Sequence, residues 1–151
     1  MTKENINNIK STFQFKHPIL KGVFFLPNVQ YSGNKKDTSL NFNTKLIETN
    51  YQKESDSNYQ TGTVELEVSN FDNENEAELN KNPYLLSVVM QAEFRWPKDW
   101  IDEKVKKFIK VNAASLLFSY IRPIISNITS MSEFEKEDLP FIDFSKATDK
   151  E

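Results

Sequence analysis

The sequence predicts an α+β fold: a four-stranded antiparallel sheet with a long C-terminal helix packed on it. Three features lead there. Apolar and polar residues alternate in separate stretches up to Trp96, the spacing turns helical after Pro97, and polar segments with turn residues separate the stretches. Strands grouped ahead of a helix give two layers, and 151 residues suffice for one core. The domain is expected over residues 11–144, between flexible ends at 1–10 and 145–151.

Phe13, Phe15, His17 and Ile19 alternate with Gln14, Lys16 and Pro18, which predicts a half-buried first strand continuing to about Leu26. Ser32-Gly33-Asn34 is turn chemistry. A second strand follows, with Leu40, Phe42 and Leu46 alternating with Asn41, Asn43 and Lys45. In the third, Val64, Leu66 and Val68 face the core, while Thr63, Glu65, Glu67 and Ser69 face water. The acidic run from Asp72 to Glu76 is read as a solvated loop. The fourth strand puts Tyr84, Leu86, Val88, Met90, Ala92, Phe94 and Trp96 on one face, and Leu85 and Val89 make the other partly apolar. A strand apolar on both faces calls for two partners, one of them a second subunit.

Pro97 ends that strand, Asp99 or Asp102 can cap, and a helix is expected from about Asp102 to Ser130. Ile109, Ala113, Leu116, Leu117, Tyr120, Ile121, Ile124 and Ile128 form a stripe broad enough to touch both the sheet and another helix. Pro123 removes one helical hydrogen bond, so a kink or break is expected there. The segment Leu139-Pro140-Phe141-Ile142-Asp143-Phe144 reads as extended.

Composition excludes much chemistry. The absence of cysteine rules out disulfides, thiolate nucleophiles and Cys-based zinc sites. With only Gly22, Gly33 and Gly62, widely separated, no phosphate-binding or dinucleotide-binding loop can be written. No cofactor or metal is expected. A net charge of −3 argues against nucleic acid as a partner and suits a basic one. The apolar run Ala113 to Ile121 is too short to cross a bilayer, and no signal peptide is seen, so a cytoplasmic location without membrane insertion is expected.

Residues able to carry catalysis are few. His17, the lone histidine, sits on a strand, where an imidazole is usually structural. Glu65 and Glu67, two apart on a wet face, are solubility groups. Lys104, Lys106, Lys107 and Lys110 form a solvated basic face rather than an anion site. A small enzyme using His17 is the alternative, and the balance favours a protein that is not an enzyme.

Over Phe108 to Phe144 the chain resembles the SecB family of export chaperones. The resemblance rests on Asn112-Ala113, on Leu117-Phe118-Ser119-Tyr120, on Arg122, and on the closing Leu139-Pro140-Phe141-Ile142-Asp143-Phe144. Phe13-Gln14-Phe15 and Leu26-Pro27-Asn28 are similar to the family's first strand. It departs from the family at Glu133-Phe134-Glu135-Lys136, where relatives carry Gly-Phe-Pro-Pro, and at Phe141, a family proline.

The resemblance implies an ATP-independent holdase that binds unfolded preproteins or other non-native polypeptides, in protein export or for one partner such as an antitoxin. It also implies a homotetramer built as a dimer of dimers. Phe24, Phe25, Tyr84, Phe94, Trp96, Trp100, Phe118 and Phe144 read mostly as core, with some able to line a groove, and a client groove is expected from Phe24, Phe94, Trp96, Phe118, Phe141 and Phe144, with truncation of Phe144 lowering client affinity. Leu86, Val88, Met90, Leu116 and Tyr120 are the expected oligomer contacts. The family docks the SecA motor partly through acidic sheet residues, and the aligned stretches Gly22 to Leu26 and Leu86 to Val88 hold no carboxylate, which argues against SecA as a partner.

Overall fold

The computed structural model describes residues 5, 13–31, 40–50, 58–71 and 82–147. The predicted turn at Ser32-Gly33-Asn34 and the acidic run from Asp72 to Glu76 lie outside them. The strands are β1 (Gln14–Phe15), β2 (Ile19–Pro27), β3 (Asn41–Asn50), β4 (Tyr59–Ser69) and β5 (Tyr84–Pro97). All pairings are antiparallel, in the order β1-β5-β4-β3, with β2 following β1 along the same side of β5. This is the expected sheet with its first strand divided.

The division falls at Lys16-His17-Pro18. Proline has no N–H to give to a ladder, and Pro18 is buried there, whereas Lys16 still donates its N–H to the Glu93 carbonyl at 2.9 Å. Farther on, β2 slips its register between Leu20 and Gly22, so Lys21 is the extra residue of a bulge. The longest strand, β5, buries alternate residues from Tyr84 to Trp96, as its period of two predicts.

The helical segment comprises α1 (Asp102–Phe108), a π-helical turn (Ile109–Ala113) and α2 (Ala114–Ser130). Two expectations are corrected here. Ile101 occupies the N-cap without a side-chain bond, and Asp102 and Glu103 instead place negative charge in the first turn. Nor does the helix break at Pro123: α2 runs through it, since the ring is exposed and the flanking turns are pinned by buried Leu117, Ile121 and Ile125. The irregularity lies earlier, at the π turn.

Helix and sheet share one core. Val64, Leu66 and Val68 of β4 and the inner row of β5 meet Phe108, Ile109, Ala113, Ala114, Leu117, Phe118, Ile121 and Ile125. From Asp102 to Ser130 the helix has the length and hydropathy of a membrane span, and 44% of its most apolar stretch is buried inside the protein. Phe108 is the hub of an aromatic cluster, 4.8 Å from Phe13, 5.5 Å from Trp100, 6.0 Å from Phe94 and 6.1 Å from Trp96.

The Trp96 indole lies over Gly62, where an added Cβ would sit 2.6 Å from a ring carbon and 3.1 Å from Leu46. Gly22, in the bulge region, has no atom within 4 Å of such a Cβ. Gly62→Ala is therefore expected to cost about 1–3 kcal/mol in chemical denaturation, and Gly22→Ala to leave the midpoint nearly unchanged. Equal midpoints for the two variants would contradict this packing.

Candidate functional site

Two apolar features stand out at the surface, neither of them the expected cluster of aromatics. The first is β2, which pairs with β5 along one side and has no strand on its other side among the described residues. Its register puts Ile19, Phe24 and Leu26 on the outer face, opposite Gln91, Ser87 and Leu85. Leu20 and Val23 face inward opposite Met90 and Val88. All five are exposed, Ile19 by 60%. An edge strand with apolar side chains on both faces and an open edge is unusual in a protein that stays alone.

The second feature is the C-terminal tail, which leaves α2 at Met131 and returns along it. Three side chains of α2, spaced i, i+4 and i+7 so that they share one face, hold it. Thr129 Oγ1 accepts the Glu137 N–H at 2.9 Å and donates to the Ile125 carbonyl at 2.7 Å. Ser126 Oγ donates to Asp138 Oδ1 at 2.9 Å. Arg122 closes a fork on the Leu139 carbonyl, with Nε at 2.9 Å and Nη2 at 2.7 Å, and its guanidinium lies 4.1 Å from the Phe141 ring centroid. The Ser126 hydroxyl, then Lys136 and Arg122, hold the Asp138 carboxyl below its ordinary range.

Phe144 anchors the far end. It is 1% exposed, with its ring centroid 4.8 Å from that of Phe42 on β3 and 5.5 Å from that of Phe118 on α2. Asp143 caps the following 3-10 turn (Phe144–Lys146) by accepting the Ser145 N–H at 3.0 Å, and the Ser145 bonds lower its pKa. Between tail, β3 and α2 lies a cleft of about 190 Å³, walled chiefly by Leu40, Phe42, Val68, Phe118, Leu139 and Ile142. That is room for one large apolar side chain.

The expected groove residues divide among different places. Phe94 and Trp96 are interior, beside Phe108, and offer no surface to a client. Phe118 and Phe144 are buried against each other. Phe24 lies on the sheet face away from the helix, 5.6 Å from Phe71, and Phe141 is 90% exposed on the tail. The expected interface residues Leu86, Val88 and Met90 are covered by the helix and cannot meet a second subunit. Leu116 is half-buried and Tyr120 is exposed on the helix.

The sequence makes β5 the strand with two apolar faces, whereas the uncovered strand is β2. Its run of Ile19, Leu20, Val23, Phe24, Phe25 and Leu26 was the available signal. His17 is exposed, with its ring edge-on to Tyr120 at 6.4 Å. No group of three His, Cys, Asp or Glu side chains able to hold a metal occurs among the described residues.

Comparison with solved structures decides the fold. The SecB-like chaperone Rv1957 of Mycobacterium tuberculosis, in complex with a ChAD peptide from the Rv1956 HigA1 antitoxin, superposes with a TM-score of 0.54. The match covers 90% of this chain and 91% of that one at 8% identity. The fold is SecB-like. A protein of unknown function from Streptococcus agalactiae superposes on this chain with a TM-score of 0.51 and 10% identity, over 85% of this chain and 97% of that one. In sequence, an uncharacterized protein of Methanocaldococcus jannaschii is 27% identical over 132 residues, 87% of this chain and 79% of that protein. No protein-family model matches.

Proposed function

We propose that this chain belongs to the SecB-like chaperones and acts as an ATP-independent holdase for unfolded polypeptide, a binding function rather than catalysis. The observation that carries the reading is the uncovered apolar surface on both faces of β2, set in a SecB-like fold. Burying the exposed part of several such side chains contributes about 25 cal/mol per Å² of apolar area, enough to drive self-association when spread along a strand.

The assembly in this reading is a homo-oligomer joined across β2, its open edge meeting a second β2 and Leu20 and Val23 packing near Tyr120 of a helix. Leu116 and Tyr120 stay in the proposed interface, and Leu86, Val88 and Met90 leave it. A tetramer, as a dimer of dimers, is the form the SecB resemblance implies. Clients are captured by fast, reversible apolar contact, several contacts engaging one long chain, and are released without hydrolysis.

A second reading is favoured by one finding. Because Rv1957 was solved with a peptide from an antitoxin, service to one dedicated partner is a specific form of the same activity. Export with SecA has less support, since Gly22 to Leu26 and Leu86 to Val88 hold no carboxylate. A cytoplasmic location is part of the proposal.

The test is suppression of aggregation of an unrelated denatured protein, without nucleotide, together with mass by light scattering. A general holdase suppresses aggregation at stoichiometric amounts and has the mass of an oligomer, and Val23→Lys, which puts an ammonium on the inner face of β2, lowers that mass. A monomer that leaves aggregation unchanged contradicts the reading. Protection of a single defined protein only would select the dedicated form.

A further inference from the structure

We propose that the tail segment from Leu139 to Phe144 is a displaceable strap seated in the client channel, and that client binding requires it to leave. The inference rests on the holdase reading and names how that site is regulated. Among the described residues, no backbone-to-backbone hydrogen bond ties residues 133–142 to the sheet or the helix. Attachment comes from side chains: Thr129, Ser126 and Arg122, the Tyr84 hydroxyl on Glu137, the packing of Phe134 on Tyr84, and the burial of Leu139 and of Phe144 between Phe42 and Phe118. Such a segment can lift away without breaking a strand ladder or a helical turn, which is the property of a locally opening unit.

What lies beneath it is apolar and would suit another chain. Lifting the strap uncovers Phe118, Phe42, Val68 and Leu40, which line the cleft with the strap in place. The strap's own side chains show what the channel accepts: Leu139 and Phe144 are buried while Phe141 points outward. A segment of unfolded polypeptide, extended and carrying an aliphatic and an aromatic side chain at similar spacing, reproduces that seat.

Arg122 serves either occupant. Its fork is closed on a main-chain carbonyl, a group present at every residue of every client. Reading main chain in one place and bulk apolar side chains in two gives sequence-tolerant capture. Strap and client then compete, and the apparent affinity is the intrinsic one reduced by the fraction of strap-open molecules.

The sign of one expectation changes as a result. A groove-lining Phe144 implies weaker client binding on truncation, whereas a Phe144 that pins a competing strap implies tighter binding.

The experiment uses the lack of cysteine in the chain. Ser126→Cys with Asp138→Cys places two thiols where the hydroxyl and carboxylate now touch, to be joined by oxidation or by a short bismaleimide. Binding of a labelled, permanently unfolded polypeptide is measured on the full chain, open and joined, beside the unmodified protein. The joined form is expected to bind at least about tenfold more weakly, with reduction of the disulfide restoring affinity. Equal affinity of joined and open forms would overturn the strap and leave the holdase reading intact. Failure of the unmodified protein to bind would remove the holdase reading and the strap with it.

Discussion

Asn70→Ala is expected to lower the free energy of unfolding by about 2–5 kcal/mol, because it removes the side-chain hydrogen bonds of two buried backbone groups at once. Asn70 follows the last residue of β4 and acts as a further rung of the ladder. Its N–H donates to the Leu86 carbonyl at 3.1 Å. Its side chain accepts the Leu86 N–H at 2.8 Å through Oδ1 and donates to the Tyr84 carbonyl at 2.8 Å through Nδ2. Alanine keeps only the first bond. Asn70→Asp keeps the bond to the Leu86 N–H but sets a carboxylate against the Tyr84 carbonyl in a buried site, so it also destabilises. Urea denaturation at one protein concentration measures both, fixed concentration being needed because an oligomer's stability varies with it. A loss below about 0.5 kcal/mol for either variant would mean that water replaces the amide.

Phe144→Ala is expected to cost about 3–5 kcal/mol, the range for removing a buried phenylalanine, with the loss concentrated in the tail. The ring fills the space between Phe42 and Phe118, and its removal leaves the tail held by buried Leu139, by Phe134 and Ile142, and by the hydrogen bonds to Thr129, Ser126 and Arg122. Of those hydrogen bonds only the one at Ser126 is exposed, and each contributes about 1–3 kcal/mol. Amide hydrogen exchange reads the result by segment. Protection should fall sharply at the hydrogen-bonded tail amides of Glu137, Ser145, Lys146 and Ala147 and little in β4 and β5. Loss spread evenly over the sheet would show that Phe144 belongs to the main core rather than to a separable strap.

The sheet and its inner face were legible because half-buried strands carry a period of two that little else mimics. From Tyr84 to Trp96 and from Val64 to Val68 the alternation identifies the buried rows residue by residue. Local irregularities were less legible. Pro18 and Pro123 are equally strong breakers in isolation, yet the chain breaks at the first and not the second. The difference is tertiary, since buried residues on either side of Pro123 hold α2 together. The π turn over Ile109–Ala113 carries no composition that announces it.

The candidate site was legible as a quantity of apolar surface and not as a place. A sequence with 12 phenylalanines must expose some, but pattern alone does not say which ones the helix covers. Phe94 and Trp96 fit core and groove equally by composition, and they are core because the helix covers the inner face of β5, with Phe108 against both rings. The open strand is β2, marked by neighbouring apolar residues on both faces. The triplet of Arg122, Ser126 and Thr129 was visible at helical spacing, but its partners are main-chain groups of the tail, which leave no trace in side-chain identity.

The most direct test of the central claim is a titration of a fluorescent, permanently unfolded polypeptide with this protein, without nucleotide, followed by anisotropy. The account predicts saturable binding that an unrelated unfolded chain displaces and a folded protein of similar charge does not. Flat anisotropy up to the highest protein concentration reached would contradict it.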